Sequence, residues 1–405
     1  MSQRHTRLAA ALSVLPILAL AACGDDSGGD ATDKEHTIGL IVPTQGAQTE
    51  LGSEVRAGFE IALKDASTDG WTFTPKVVDE GTTPDKSVEA ARSLVGSGVK
   101  NVAGLVSSAD CAAVAPVVEQ LGGTLVSTTC SSDALTTPKL VSESFFDVAA
   151  GDFRYNEALA AVIAEKFPEL SKLGIFAWDY PVGKESPIKF RDALGQKGVD
   201  VDLDPEFYVP IQAASYRAQI SKMAGDLSAG DPATKGVLLI VGGGATTSFL
   251  QQASAFDLLD SVSFVGGPSE PYVGLRTLKG AFPNYWAAYD YFHSAVDTPE
   301  NAAFVKAFTE ERGVAPSGFA WQGYAAGSSL AAAIKAAGGA DPDAVQKALL
   351  EIEVPTPTGA IKFDAKTHRT NSPSVIVNVV GDPSEADGVK LLDAFRVDAN
   401  GNRVE

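Results

Sequence analysis

Apolar and polar positions alternate along this chain between two periods. His36-Thr-Ile-Gly-Leu-Ile-Val42 is an apolar run of strand length, and Gly52 to Asp65 then places Val55, Phe59, Ala62 and Leu63 at helical spacing. The alternation continues with a strand at 74–78, a helix at 84–95, a strand at 101–106, a helix at 111–121 and a strand at 124–127. A second series follows: helices near 153–166, 187–196, 216–227 and 248–255, and strands near 173–177, 206–209, 236–241 and 262–265. Several of these strands, such as Gly236-Val-Leu-Leu-Ile-Val241, are apolar throughout. Strands that are apolar on both faces and alternate with helices predict parallel sheets covered by helices, in two α/β units. The segment 299–353 reads as helix-rich, and 360–363 and 373–380 read as strands.

The start of the chain follows another pattern. Arg4 and Arg7 precede an apolar stretch, Leu8 to Ala22, that is too short to span a bilayer and carries Pro16. Leu20-Ala21-Ala22-Cys23 resembles the bacterial lipobox, which implies cleavage before Cys23 and a diacylglycerol on its sulfur. Residues 23–36 are rich in Gly, Asp, Ser and Thr and read as a flexible tether.

Without residues 1–22, the 405-residue chain is still longer than one core usually serves, so two lobes are expected. The formal charge of −19 argues against nucleic acid and against electrostatic docking on anionic lipid, leaving the Cys23 lipid as the expected membrane attachment. Of the three cysteines, Cys111 and Cys130 remain once Cys23 is lipidated. One follows the first hydroxyl-rich loop and the other lies inside the second, and adjacent parallel strands would bring them together as an extracytoplasmic disulfide. Two buried thiols are the alternative.

Four stretches occur in an order that resembles one family: IGLIVPTQG, LGSEVRAGFEIAL, VVDEGTTPDKSVEAARSLV and VAGLVSSADCAAVAPVVEQLGGTLVSTTCSSDALT. Later GVLLIVGGGATTSFLQQA, NAAFVKAFTEERGVAPSGFAWQGYAAGSSLAAAI and TGAIKFDAKTHRTNSPSVIV continue it. The chain resembles the branched-chain amino acid binding proteins, solute-binding lipoproteins of ABC transporters with the type I periplasmic-binding fold. The resemblance implies two doubly wound lobes joined by three crossover strands near 147–152, 280–285 and 353–360. Lobe one is then expected at 37–148 and 284–354, and lobe two at 149–283 and 355–405. It further implies a monomer that closes on a small ligand (an amino acid or related carboxylate) and delivers it to an ABC permease.

Ligands of parallel α/β sheets sit beyond the carboxyl ends of the strands, near helix N-termini. Two hydroxyl-rich loops, Ser107-Ser108-Ala109-Asp110 and Thr128-Thr129-Cys130-Ser131-Ser132, occupy such ends. Ser107 is a candidate from its loop, and the resemblance assigns carboxylate and amine contacts to Ser108, Thr129 and Ser131. Across the cleft the candidates are Trp178, Asp179 and Glu270, with Glu270, Asp110 and Asp179 competing to pair a ligand amine. Val182 stands where the family often has tyrosine, which keeps an amide, urea or aromatic acid open as ligand. In Asn284–Phe292, five of nine residues are aromatic, and Trp286 or Tyr285 is expected at the ligand.

Catalytic patterns are missing. Gly242-Gly-Gly-Ala-Thr-Thr-Ser248 lacks the Gly-Lys-Ser/Thr of a phosphate loop, no G-x-S-x-G elbow occurs, and His36, His293 and His368 have no metal-ligand spacing. Neither enzyme activity, nor a cofactor, nor a metal site is expected; a secreted hydrolase with an unrecognised site is the remaining alternative.

Overall fold

The structure, a computed structural model, describes residues 34–398 except 138–141, 212 and 214, together with 403 and 404. The leader, the lipidation at Cys23 and most of the tether lie outside the described residues. The first strand begins at Glu35, so His36, expected in the tether, pairs with Phe73 in the sheet and lies against Trp71 and Phe73.

Lobe one opens with β1 (Glu35–Val42), α1 (Thr49–Ala66), β2 (Thr72–Asp79), α2 (Pro84–Gly96), β3 (Asn101–Gly104), α3 (Ser108–Gln120), β4 (Thr124–Ser127) and β5 (Phe145–Asp147). Its strands pair in parallel in the order β2-β1-β3-β4-β5. The chain then runs through α4 (Asp152–Lys166), β6 (Lys172–Trp178), α5 (Pro181–Gln196), β7 (Asp202–Val209), α6 (Arg217–Leu227), β8 (Lys235–Ile240), α7 (Gly244–Ser254), β9 (Phe264–Gly267), the short α8 (Tyr272–Leu275) and β10 (Tyr285–Tyr289). Next come α9 (Pro299–Arg312), α10 (Gly318–Ala337), α11 (Pro342–Glu351), the hairpin β11 (Val354–Thr356) and β12 (Gly359–Ile361), β13 (Ser374–Gly381) and β14 (Val389–Val397). The second sheet has the order β14-β13-β10-β9-β8-β6-β7, with β13 and β14 antiparallel. The architecture is the expected type I periplasmic-binding fold.

One grouping differs from the sequence reading. Residues 284–289 were expected with lobe one, but β10 pairs with β9 and β13 and so belongs to the second sheet. The helices after it return to lobe one, where α10 lies along α1. Close approach there depends on two glycines. A Cβ on Gly58 would meet the Ala320 carbonyl oxygen at 1.8 Å, and one on Gly323 would meet that of Val55 at 2.0 Å. The two backbones touch, which ties residues distant in sequence into one wall of lobe one. Buried side chains from both lobes, including Phe59, Trp321, Tyr155 and Phe190, merge into one large apolar cluster.

Candidate functional site

Strand ends position the site. β3 stops at Gly104 (φ 117°), and Leu105 (φ 70°) also takes the left-handed region that non-glycine residues rarely adopt. This turn aims the Leu105 carbonyl at the next loop, where it accepts the hydroxyls of Thr128 (2.9 Å) and Thr129 (3.2 Å). Ser108 Oγ accepts the Ser132 N–H at 3.2 Å, and Cys111 and Cys130 are joined by a disulfide. The two hydroxyl-rich loops are therefore fastened to each other by side-chain bonds and one covalent bond.

Two buried ionisable groups, Glu80 and Arg369, hold these loops from behind. Both Glu80 oxygens lie 3.1 Å from the Val106 N–H, at the start of the first loop. Burial, with the Asp110 charge second, raises the Glu80 carboxyl well above the usual carboxylate range. Arg369 donates to the carbonyls of Cys130 (3.2 Å) and Ser132 (3.0 Å), and to Asp147 (2.8 Å) and Asp133 (3.0 Å). Burial pushes Asp147 up to about 6, opposed chiefly by the Arg369 charge.

In front of the loops, between the lobes, lies a cavity of about 80 Å³. Lobe one contributes Thr129 and Ser131, with Gln48, Leu51, Val106 and Phe319. Lobe two contributes Trp178, Tyr180 and Val182 from the end of β6 and the start of α5, Ile240 and Val241 from the end of β8, and Glu270 and Tyr289. An adjoining chamber of about 230 Å³ shares Gln48 and Tyr180 and is lined by Ser107 and Asp110.

The candidate residues fall into two groups. Thr129, Ser131, Trp178 and Glu270 line the one cavity, and Ser107 lines its neighbour. Ser108 is not among the lining residues, because its hydroxyl stitches the loops together. Asp179 is exposed and pairs with Lys184 at 2.7 Å, because the residue after β6 turns to solvent. Trp286 is buried near the start of β10, edge-on to Phe167 (6.0 Å, 88°), away from the cleft. β10 runs parallel to β9, so its far end, at Tyr289, reaches the cavity. Tyr285 is also core.

Glu270 is 2% exposed, and its carboxylate accepts the N–H groups of Tyr272 (3.0 Å), Val273 (3.1 Å) and Gly318 (3.4 Å). Burial outweighs these donors and pushes its carboxyl up to about 7. The Gly318 bond crosses from lobe two to lobe one. A second crossing contact joins Arg276 to Glu54 (2.8 Å) and Glu50 (3.2 Å) of α1. The strand-end rule could have found Gln48, Leu51, Ile240 and Val241, which follow β1 or end β8. Phe319 carries no such signal, since it starts a helix remote in sequence.

A model of the periplasmic binding protein family matches residues 35–386. This chain belongs to that family. Members similar to it include the Leu/Ile/Val-binding protein homolog 2 of Brucella abortus, 24% identical over 89% of this chain and 93% of that protein. The Leu/Ile/Val-binding protein homolog 3 of Brucella melitensis is 28% identical, over 40% of this chain and 45% of that protein. Among solved structures, a Rhodopseudomonas palustris ABC-transporter solute binding protein in complex with 3,4-dihydroxybenzoic acid superposes with a TM-score of 0.78, at 20% identity, over 91% of this chain and 98% of that one. In this periplasmic binding protein, as in the fold generally, the cavity lies between two lobes at strand carboxyl ends. No helix among the described residues is long and apolar enough to cross a membrane, and no cluster of three or more potential metal ligands occurs among them.

Proposed function

We propose that this chain is the lipid-anchored, extracytoplasmic solute-binding protein of an ABC importer, and that it captures a small amino acid or related carboxylate by closing two lobes around it. The observation that carries this reading is the pairing of walls around one cavity. Thr129 and Ser131 on one side lie across the cavity from Trp178, Val182, Ile240 and Val241 on the other. Such a chamber suits a molecule with an oxygen-rich end and an apolar body. The ligand leaves unchanged and passes to the permease. Lipid on Cys23 holds the protein at the membrane.

A second ligand, an aromatic acid without an amine, is favoured by Glu270. Its oxygens already accept three backbone N–H groups, and Asp179 is turned to solvent. Trp178, Tyr180 and Phe319 supply flat surfaces for a ring.

Native mass spectrometry of the purified protein identifies a co-purifying ligand. Calorimetry at pH 6 with L-leucine and with 4-hydroxybenzoate then separates the two. With its carboxyl at about 7, Glu270 is mostly protonated at pH 6, and a ligand ammonium beside it would lower that value. Amino acid binding therefore releases a proton, read as a heat that varies with buffer ionisation enthalpy; the aromatic acid releases none at this group. Catalytic turnover of the bound compound would overturn the capture reading.

A further inference from the structure

Protein groups join the two lobes directly behind the cavity wall. Arg276, from lobe two, donates through Nη2 to Glu54 (2.8 Å) and Glu50 (3.2 Å) of α1 in lobe one. Glu54 is fully buried, and Arg276 is 8% exposed. None of these three lines the cavity, although Leu51, in the same stretch of α1, and Glu270, shortly before Arg276, both do. Two more contacts cross nearby. A Cβ on Gly243 of lobe two would lie 3.0 Å from the Leu51 side chain, so the lobes already touch there. The Gly318 N–H of lobe one reaches Glu270 of lobe two at 3.4 Å.

Each member of the buried pair is also held within its own lobe. The Arg276 guanidinium lies over the Tyr272 ring at 5.3 Å, and the Tyr272 hydroxyl donates to Asp387 at 2.7 Å. The second Glu54 oxygen accepts the Ser317 N–H (3.4 Å) at the start of α10, in lobe one. Forming a buried ion pair ordinarily means stripping water from two free charges, which cancels much of their attraction. Here part of that cost falls inside each lobe, and both side chains have little freedom left to lose. Bringing the lobes together therefore adds a charge-assisted bond at reduced cost. Burial opposes the Arg276 charge, but the Glu54, Glu270 and Glu50 carboxylates outweigh it and raise its pKa. Two acids of lobe one and one of lobe two thus share this cation.

We propose that the Arg276–Glu54 pair is a latch, which draws the lobes into the arrangement seen here before a ligand arrives and so sets affinity without touching the ligand. Arg276 and Glu54 are then positioning residues for capture. The lobes visit the closed arrangement on their own, a ligand selects it, and the apparent affinity follows the fraction of molecules that are closed. The latch rests on the two-lobe closure of the capture reading, but on no particular ligand.

Solution X-ray scattering tests it on the mature chain, freed of small molecules by dialysis against mild denaturant and checked by native mass spectrometry. The scattering should fit a mixture of open molecules and the arrangement seen here. Glu54→Gln keeps an acceptor for the Ser317 N–H but removes the charge. It should lower the closed-to-open ratio by about tenfold, the worth of a hydrogen bond between charged groups. Arg276→Gln should lower it at least as much, and the double variant should be no more open than Arg276→Gln alone. The urea midpoint of the Glu54→Gln chain should stay in place, whereas a purely structural role would move the midpoint and leave the ratio alone. If Arg276→Gln lowers the midpoint, Glu54→Gln decides. A wholly open unaltered chain, an unchanged ratio in Glu54→Gln, or opening that adds up in the double variant overturns the latch. No ligand is used, so that failure would leave the capture reading, which ligand binding tests, standing.

Discussion

The two walls of the cleft are built differently. Beside Leu51, Val106 and Phe319, lobe one presents a short polar face whose atoms are fixed from behind: the Cys111–Cys130 bond, the Ser108–Ser132 contact, Glu80 beneath Val106 and Arg369 beneath Cys130 and Ser132. Lobe two presents side chains from strand ends and helix starts, mostly apolar, with Glu270 as its acid. Preorganised donors lose little on binding because their geometry is already set. The comparison teaches a division of labour. On the proposed function, the rigid wall would recognise a group common to many ligands, and the side-chain wall would decide which body is admitted.

The comparison breaks most severely at Arg369. Arg369→Met leaves Asp147 buried without its cation and removes the donors to Cys130 and Ser132. Loss of one partner of a buried pair costs about 3–5 kcal/mol, so urea denaturation should show a loss of that size. Next comes the disulfide. The doubly substituted Cys111→Ser, Cys130→Ser protein should lose about 3 kcal/mol by the same measurement, from a loop of 19 residues in sequence separation. Equal stability of oxidised and reduced protein would show that the loops need no staple.

Smaller effects are confined to binding. Ser131→Ala removes a hydroxyl from the rigid wall and should weaken the identified ligand by about 1.5 kcal/mol, roughly tenfold, with unfolding unchanged. Val182→Ala on the opposite wall should change affinity by about 1 kcal/mol, and by unequal amounts for ligands with different bodies. Calorimetry on a ligand series measures both. If Ser131→Ala altered selectivity and Val182→Ala weakened all ligands equally, the division of labour would be reversed.

Much of this was legible because it depends on chain-local physics. Apolar runs and helical spacing locate both sheets, and strand-end loops locate Thr129 and Ser131. What escaped depends on direction. Aromatic density at Asn284–Phe292 signals burial but not which end of β10 meets the cleft, so Trp286 read as a contact where Tyr289 is the lining residue. Asp179 stands one residue beyond β6, and one residue of turn decides between cavity and solvent. Ser108 and Glu270 are placed near the cleft, yet their bonding partners, Ser132 and three backbone N–H groups, come from other segments. Arg369 escaped entirely, since a cation more than 200 residues from the loop it supports leaves no local pattern.

The most direct test is a crystal structure of the protein with its co-purified ligand. The account predicts one ligand in the cavity, its carboxylate beside Thr129 and within hydrogen-bond distance of the Ser131 hydroxyl, and its body against Trp178, Val182 and Ile240. A ligand in the opposite orientation, with its acid toward lobe two, would contradict it.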